Sequence, residues 1–319
     1  MSGLPAGHSP RVTSPGGGPA NGAFRTVRSP ALASERRLAR LFMLPSVLTM
    51  GLVALFPVLY AVGLSFFAYD GRRRKGFAGL ANYATALTSG DFWHPINATF
   101  VFTIASVTFG FLIGLGFALI MHQAFAGRGV TRAMILVPWV IPTVISAQMW
   151  SLMFHVTPGF INHYVPFVPE DFNWLGTPNW AMVSIVVADV WKTAPFVALL
   201  LLAGLQTIPQ DIYESAHIDG ANSWQRFIRI TLPLLEPAIL VALLFRTVDS
   251  LRVYDLPKVM TGGAFGTETL SIMVQRFVAD TPNPGMGSTL STLGFAVVLG
   301  VGVIFVSLLG RDLVVGRQR

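Results

Sequence analysis

The stretch Glu214–Pro233, ESAHIDGANSWQRFIRITLP, lies between two strongly apolar runs, and its reading decides the rest of the chain. Just upstream, Pro209 sits where a first helical position tolerates a missing N–H. Asp211 and Glu214 suit the opening turns of a helix N-terminus. Gly220 then ends that short helix, because glycine takes a left-handed conformation without steric cost. Asn222 and Gln225 have capping-box spacing, and Trp224, Phe227 and Ile228 give the next segment an apolar stripe. Pro233 and Pro237 are expected to close it before the following hydrophobic run. The expected product is a helix–break–helix element at a membrane surface. On these features alone, an amphipathic interfacial helix with no partner is the favoured reading.

The spacing resembles the EAA loop of ATP-binding-cassette (ABC) importer permeases: Glu-Ala-Ala, three residues, Gly, nine residues, then Ile-x-Leu-Pro. Here the pattern reads Glu214, Ser215, Ala216, Gly220, Ile230, Leu232 and Pro233, with Ser215 the one departure. The resemblance implies a cytoplasmic coupling helix over residues 209–226 that docks into a cleft on an ATPase subunit. Glu214 would cap or pair within that cleft, Ala216 and Asp219 would set fit and charge, and Gly220 would turn the chain. Trp224 and Phe227 belong to the same docking element.

Composition sets the class. Among 319 residues, 53% are hydrophobic and 12% charged, which excludes a soluble protein. A mean hydropathy of +0.61 and apolar runs near twenty residues imply several membrane spans. Six are drawn: 41–67, 98–122, 133–154, 181–205, 235–257 and 289–310. The expected architecture is an all-α, polytopic six-helix domain over 41–319, with its cytoplasmic coupling loop at 206–234. Residues 1–40, rich in Pro, Gly, Ser and Arg, read as a disordered cytoplasmic tail. The first apolar run is expected to stay as an uncleaved span. Isolated Pro57, Pro142 and Pro195 are expected to kink their helices rather than break them.

The net charge of +7 follows topology rather than nucleic-acid binding. Segments on the side of the N-terminus carry thirteen Arg and no Lys, against six Lys and Arg on the other side. That bias places both termini and the Glu214 loop in the cytoplasm of a bacterial inner-membrane protein. Four of the six, Arg72–Lys75, run against the rule and face lipid headgroups or an acidic partner. Zero cysteines exclude disulfides and thiolate chemistry. The outer segment 155–179 combines aromatics with four prolines and reads as ordered, either a docking surface for an external binding protein or an interfacial aromatic belt. Phe77-Ala-Gly79-Leu80-Ala-Asn82-Tyr83 resembles the F-x-G-L-x-N-Y segment of sugar permeases.

Polar residues in hydrocarbon are costly and therefore functional candidates. The fifth span carries Arg246, Asp249, Arg252 and Asp255 at steps of three. Arg246 lies nine residues past Pro237, about 14 Å along a helix at roughly 1.5 Å per residue, near the midplane of a hydrocarbon core about 30 Å thick. At that spacing each charge can neutralise the next, giving either a structural ladder or one wall of a translocation path. The fourth span adds Asp189, Trp191, Lys192 and Thr193 before Pro195 and Phe196. The third adds Trp139 and Thr143 around Pro138 and Pro142.

These segments, with Met260-Thr261-Gly262-Gly263, resemble the maltose-type sugar permeases over nearly all of the chain beyond the tail. The resemblance implies the transmembrane fold of type I importers. It implies that Trp139, Thr143, Asp189, Lys192, Thr193, Phe196, Phe245, Arg246 and Asp249 line or approach a sugar site. Several are charged where maltose permeases have neutral residues, so location carries over better than ligand. A disaccharide such as trehalose or maltose is expected, with a glycerol phosphate or other polyol as the alternative. Implied partners are a second, homologous permease, a dimer of ATPases holding ATP and Mg, an extracytoplasmic sugar-binding protein and membrane lipid. No phosphate loop, His-Glu-x-x-His or Gly-x-Ser-x-Gly occurs, so no cofactor is expected in this chain and it is not read as an enzyme. A self-sufficient, proton-coupled transporter using Asp189 and Asp249 would show paired repeats or discontinuous helices around an ion site, and the sequence shows no internal repeat.

Overall fold

The computed structural model describes residues 41–157 and 159–315, so the 1–40 tail lies outside the described residues. The chain divides into a unit that ends at Leu55 and a second from Phe56 onward. Leu41–Ser65 is one apolar helix, α1, with a wide π-turn at Gly51–Leu55. Up to Leu55 its large apolar side chains are exposed, as a lipid-facing helix requires.

After α1, Phe67–Asp70 (β1) and Arg73–Phe77 (β2) form a short antiparallel hairpin, which the all-α reading did not include. It accounts for part of the Arg72–Lys75 run. The Arg74 guanidinium lies 3.5 Å from the centroid of the Phe67 ring, and Lys75 pairs with Asp70 at 2.9 Å. The F-x-G-L-x-N-Y segment fastens this corner. Asn82 donates to the carbonyls of Ser65 and Phe67 (2.8 and 3.0 Å), and the Tyr83 hydroxyl meets Ser65 Oγ at 2.7 Å.

The other helices follow: α2 (Ala81–Thr88), α3 (Gly90–His122), α4 (Arg128–Val140), α5 (Thr143–Met153), α6 (Phe160–Tyr164), α7 (Trp180–Leu205) and α8 (Gln210–Ile218). Then come α9 (Ser223–Leu251), α10 (Asp255–Thr261), α11 (Leu270–Gln275) and α12 (Pro284–Val315). Among the described residues five helices are long and apolar enough to cross a membrane, or six if α4 and α5 count as one bent span. Helix α7 is the most enclosed and packs against α3, α9 and α4. Lipid is as apolar as leucine, so close backbone approach rather than hydrophobic driving force must hold these helices together. Gly114 of α3 supplies it: a Cβ there would fall 2.7 Å from Val197 of α7. Around that contact Ala118, Ala198, Leu201, Leu205, Leu235 and Ala242 are all buried.

Three expectations about helix ends are corrected. Pro142 breaks its span instead of kinking it: α4 and α5 meet at 93° across Ile141–Pro142. Ile141 is extended before the proline, as the pyrrolidine ring demands. Pro57 and Pro195, by contrast, sit inside continuous helix. Conversely, Pro233 and Pro237 do not close the segment after Gly220. The helix runs through both into the fifth span, because Phe227–Thr231 forms a π-turn immediately before Pro233, where the regular ladder would lack a donor. Finally, the fifth span ends at Leu251, so Arg252 and Asp255 lie beyond it and the charged ladder stops at Asp249.

Residues 159–179 fold around buried Asn162. Its amide donates to the carbonyls of Glu170 and Phe172 (3.1 and 2.8 Å), and its oxygen accepts from Trp174 Nε1 at 2.6 Å.

Candidate functional site

Helix α3 brings Ser106, α7 brings Asp189 and α9 brings Arg246 to one buried point. One guanidinium nitrogen of Arg246 donates to both the Asp189 carboxylate and Ser106 Oγ, and Ser106 in turn donates to Asp189. The other terminal nitrogen donates to Asp249 at 3.0 Å. Arg246 is 2% exposed, and burial among apolar helices explains why it needs this company. A lone buried charge there is prohibitive, and a bonded cluster neutralises it. The main carboxylate partner of Arg246 therefore comes from another span. The ladder's own step supplies only Asp249, whose side chain is 74% exposed.

Asp189, Arg246 and Asp249 of this cluster wall a cavity of about 320 Å³, also lined by Thr143, Lys192, Thr193, Ser250, Arg252, Tyr254 and Asp255. Lys192 donates to the Ile141 carbonyl at 2.6 Å, reaching the break between α4 and α5. Thr193 turns its hydroxyl back to the Asp189 carbonyl at 2.8 Å. Six of the nine predicted pathway residues thus share one cavity: Thr143, Asp189, Lys192, Thr193, Arg246 and Asp249. The other three stand apart from its lining as an aromatic group. Trp139 stacks on Phe196 with centroids 5.7 Å apart, and Phe196 meets Phe245 edge-on at 6.4 Å. Trp191 turns the other way, toward Trp150 and a larger apolar hollow. Sequence reasoning missed Ser106, an unmarked serine in an apolar run, and Tyr254, past the helix end.

The Glu214 loop has the form its sequence predicts. Helix α8 stops at Ile218, Gly220 has φ +81°, and Asn222 and Gln225 complete a reciprocal capping box at 2.8 and 2.9 Å. Pro209 stands at the N-cap, one residue before α8. Tyr213 ties α8 to α9 through Thr231 at 3.1 Å. Glu214, Ser215 and Asp219 are exposed and Ala216 half-buried. Ile218 (85% exposed) and Trp224 (69%) present apolar surface, with Trp224 against half-buried Phe227. Among the described residues no ion pair engages Glu214, and no cluster of metal-ligating side chains occurs.

Residues 106–314 match the family model of the binding-protein-dependent transport system inner membrane component. The chain belongs to that family, the permeases of ABC importers. The trehalose/maltose transport system permease protein MalF of Thermococcus litoralis is 43% identical, over 85% of this chain and 93% of that protein. The trehalose transport system permease protein SugA of Mycobacterium tuberculosis is 36% identical, over 89% and 92%. Among solved structures, a chain of a bacterial ABC transporter for the acidic polysaccharide alginate superposes with a TM-score of 0.76 at 22% identity, covering 88% of this permease and 98% of that chain. The permease thus has the type I importer fold and is a multi-pass membrane protein whose ATPase is a separate subunit.

Proposed function

We propose that this permease carries a neutral disaccharide of the trehalose or maltose kind, and that the cavity between α7, α9 and the α4–α5 break is its share of the path. The carrying observation is the lining: Lys192, Arg246 and Arg252 stand against Asp189, Asp249 and Asp255, three cations to three carboxylates. Such a surface offers many directional hydrogen bonds and no net charge, which suits a polyhydroxylated neutral solute better than a phosphate. Relatives named for trehalose and maltose at 43% and 36% identity support it. Asp189 and Arg246 already pair with each other and form the back wall. Asp249, Thr143 and Lys192 are the groups placed to meet a solute, and Trp139, Phe196 and Phe245 offer aromatic faces at its edge.

The rest of the mechanism follows the family. An extracytoplasmic binding protein delivers the sugar, with exposed Phe160, Tyr164 and Phe167 of the ordered outer segment as its docking surface. A second, homologous permease completes the path. An ATPase dimer holding ATP and Mg receives residues 209–226, with both termini on that cytoplasmic side. Exposed Ile218 and Trp224 are the apolar anchors of that contact, and movement of α8 reaches α9 through the Tyr213–Thr231 bond.

Two measurements test this reading. Reconstituted with its partner subunits in liposomes, the permease takes up labelled trehalose or maltose only with ATP; uptake of glycerol phosphate instead would shift the reading to the anionic alternative. Gly220→Val forces a β-branched residue to φ +81° and leaves insertion intact but uncouples ATP hydrolysis from uptake. Full uptake in that variant contradicts the coupling role.

A further inference from the structure

The break between α4 and α5 leaves helix ends within a single apolar span, where their backbone groups need partners from outside the helix. Pro142 has no N–H to give the last turn of α4, and Ile141, in extended conformation, turns its carbonyl away from any helical donor. The Lys192 ammonium fills that vacancy at 2.6 Å, reaching from α7 across to a carbonyl 51 residues earlier. A cation there also lies at the negative end of the α4 dipole. The same ammonium borders the cavity beside Thr143, the first residue of α5.

We propose that Lys192 is a latch: its bond to Ile141 fixes the angle between α4 and α5, and a hydroxylic solute in the cavity opens the latch by competing for the ammonium. It is a positioning residue, acting through the Ile141 carbonyl, and its release frees α4 to move against α7. The proposal rests on the cavity being the solute path, but its first test does not depend on which solute is carried.

The chain has no cysteine, so Val140→Cys on α4 and Val187→Cys on α7 introduce the only labelling sites in this chain. In the assembled transporter without sugar, spin labels at these positions report one narrow distance. Lys192→Met broadens or displaces it, and Lys192→Arg restores it; an unchanged distribution in Lys192→Met overturns the latch. Lys192→Gln, which keeps a donor without the charge, stands in if the Met variant does not assemble. With trehalose, Lys192→Met lowers the maximal uptake rate about tenfold while KM stays within about threefold, since the solute's bond to the ammonium only replaces the bond to Ile141 and little net ground-state binding is lost. A raised KM at unchanged maximal rate makes Lys192 a plain sugar ligand and ends the proposal. Failure of the wild type to carry trehalose counts against the sugar assignment only, and the sugar-free distances still judge the latch.

Discussion

Helix α7 has two faces that border two very different spaces. On one, Asp189, Lys192 and Thr193 look into a cavity of about 320 Å³ with charged and hydroxylic walls. On the other, Val183, Val186, Val187, Val190, Trp191 and Ala194 line a hollow of about 970 Å³ whose remaining walls are almost wholly apolar. The larger space is the less informative one. In a membrane an apolar hollow loses little, because neighbouring hydrocarbon is chemically equivalent to its lining, and it offers a hydroxylated solute no directional contact. The smaller space holds charges that burial penalises, and those charges persist only through mutual bonding. Chemistry, not volume, separates a path from a packing gap.

The sharpest way to break that contrast is to unpair the polar face. Arg246→Leu leaves Asp189 buried without its cation and should cost about 3–5 kcal/mol, read as loss of assembled complex and a lowered unfolding midpoint. Adding Asp189→Leu should recover most of that stability without recovering uptake. Asp249→Leu comes next: with a side chain 74% exposed, it changes stability by no more than about 1 kcal/mol yet impairs uptake in a complex that still assembles. Failure of assembly there would make the cluster a structural tie rather than a path. Thr143→Val removes one hydroxyl from the cavity and should raise KM for uptake about three- to tenfold, the equivalent of a single hydrogen bond of about 0.5–1.5 kcal/mol. On the opposite face, Val187→Ala should leave uptake and assembly at wild-type levels, with stability within about 0.5 kcal/mol.

What the sequence revealed follows the same division between local and distant causes. The turn at Gly220 and the Asn222–Gln225 cap were legible because both are made by residues within four positions of each other. The polar residues of the fourth and fifth spans were legible as candidates, since hydrocarbon makes any charge conspicuous. Their partners were not. Arg246 could be paired on paper only with Asp249, three residues on, whereas its principal carboxylate lies 57 residues away on α7 and its hydroxyl partner 140 residues away on α3. Ser106 carries no signal in an apolar run, because serine packs in membrane helices without any functional duty. Proline was ambiguous in both directions. Pro195 stays within a helix and Pro142 breaks one, and at the break the extended Ile141 turns its carbonyl to a donor 51 residues on, Lys192, which no local pattern announces.

The wide turn at Phe227–Thr231 has a consequence for how this helix tolerates change in length. A π-turn stores one residue more than an α-turn, so deleting Ile228 relaxes the stretch to ordinary α-helix and leaves Arg246 aimed at Asp189. The same deletion at Val241, in regular helix, swings everything upstream by about 100° relative to everything beyond, one residue's share of an α-turn. The Gly220 turn would then face away from its neighbour while the charged cluster stayed in place, or the reverse. That single spare residue sets the phase between the Gly220 turn and the charged cluster around Arg246.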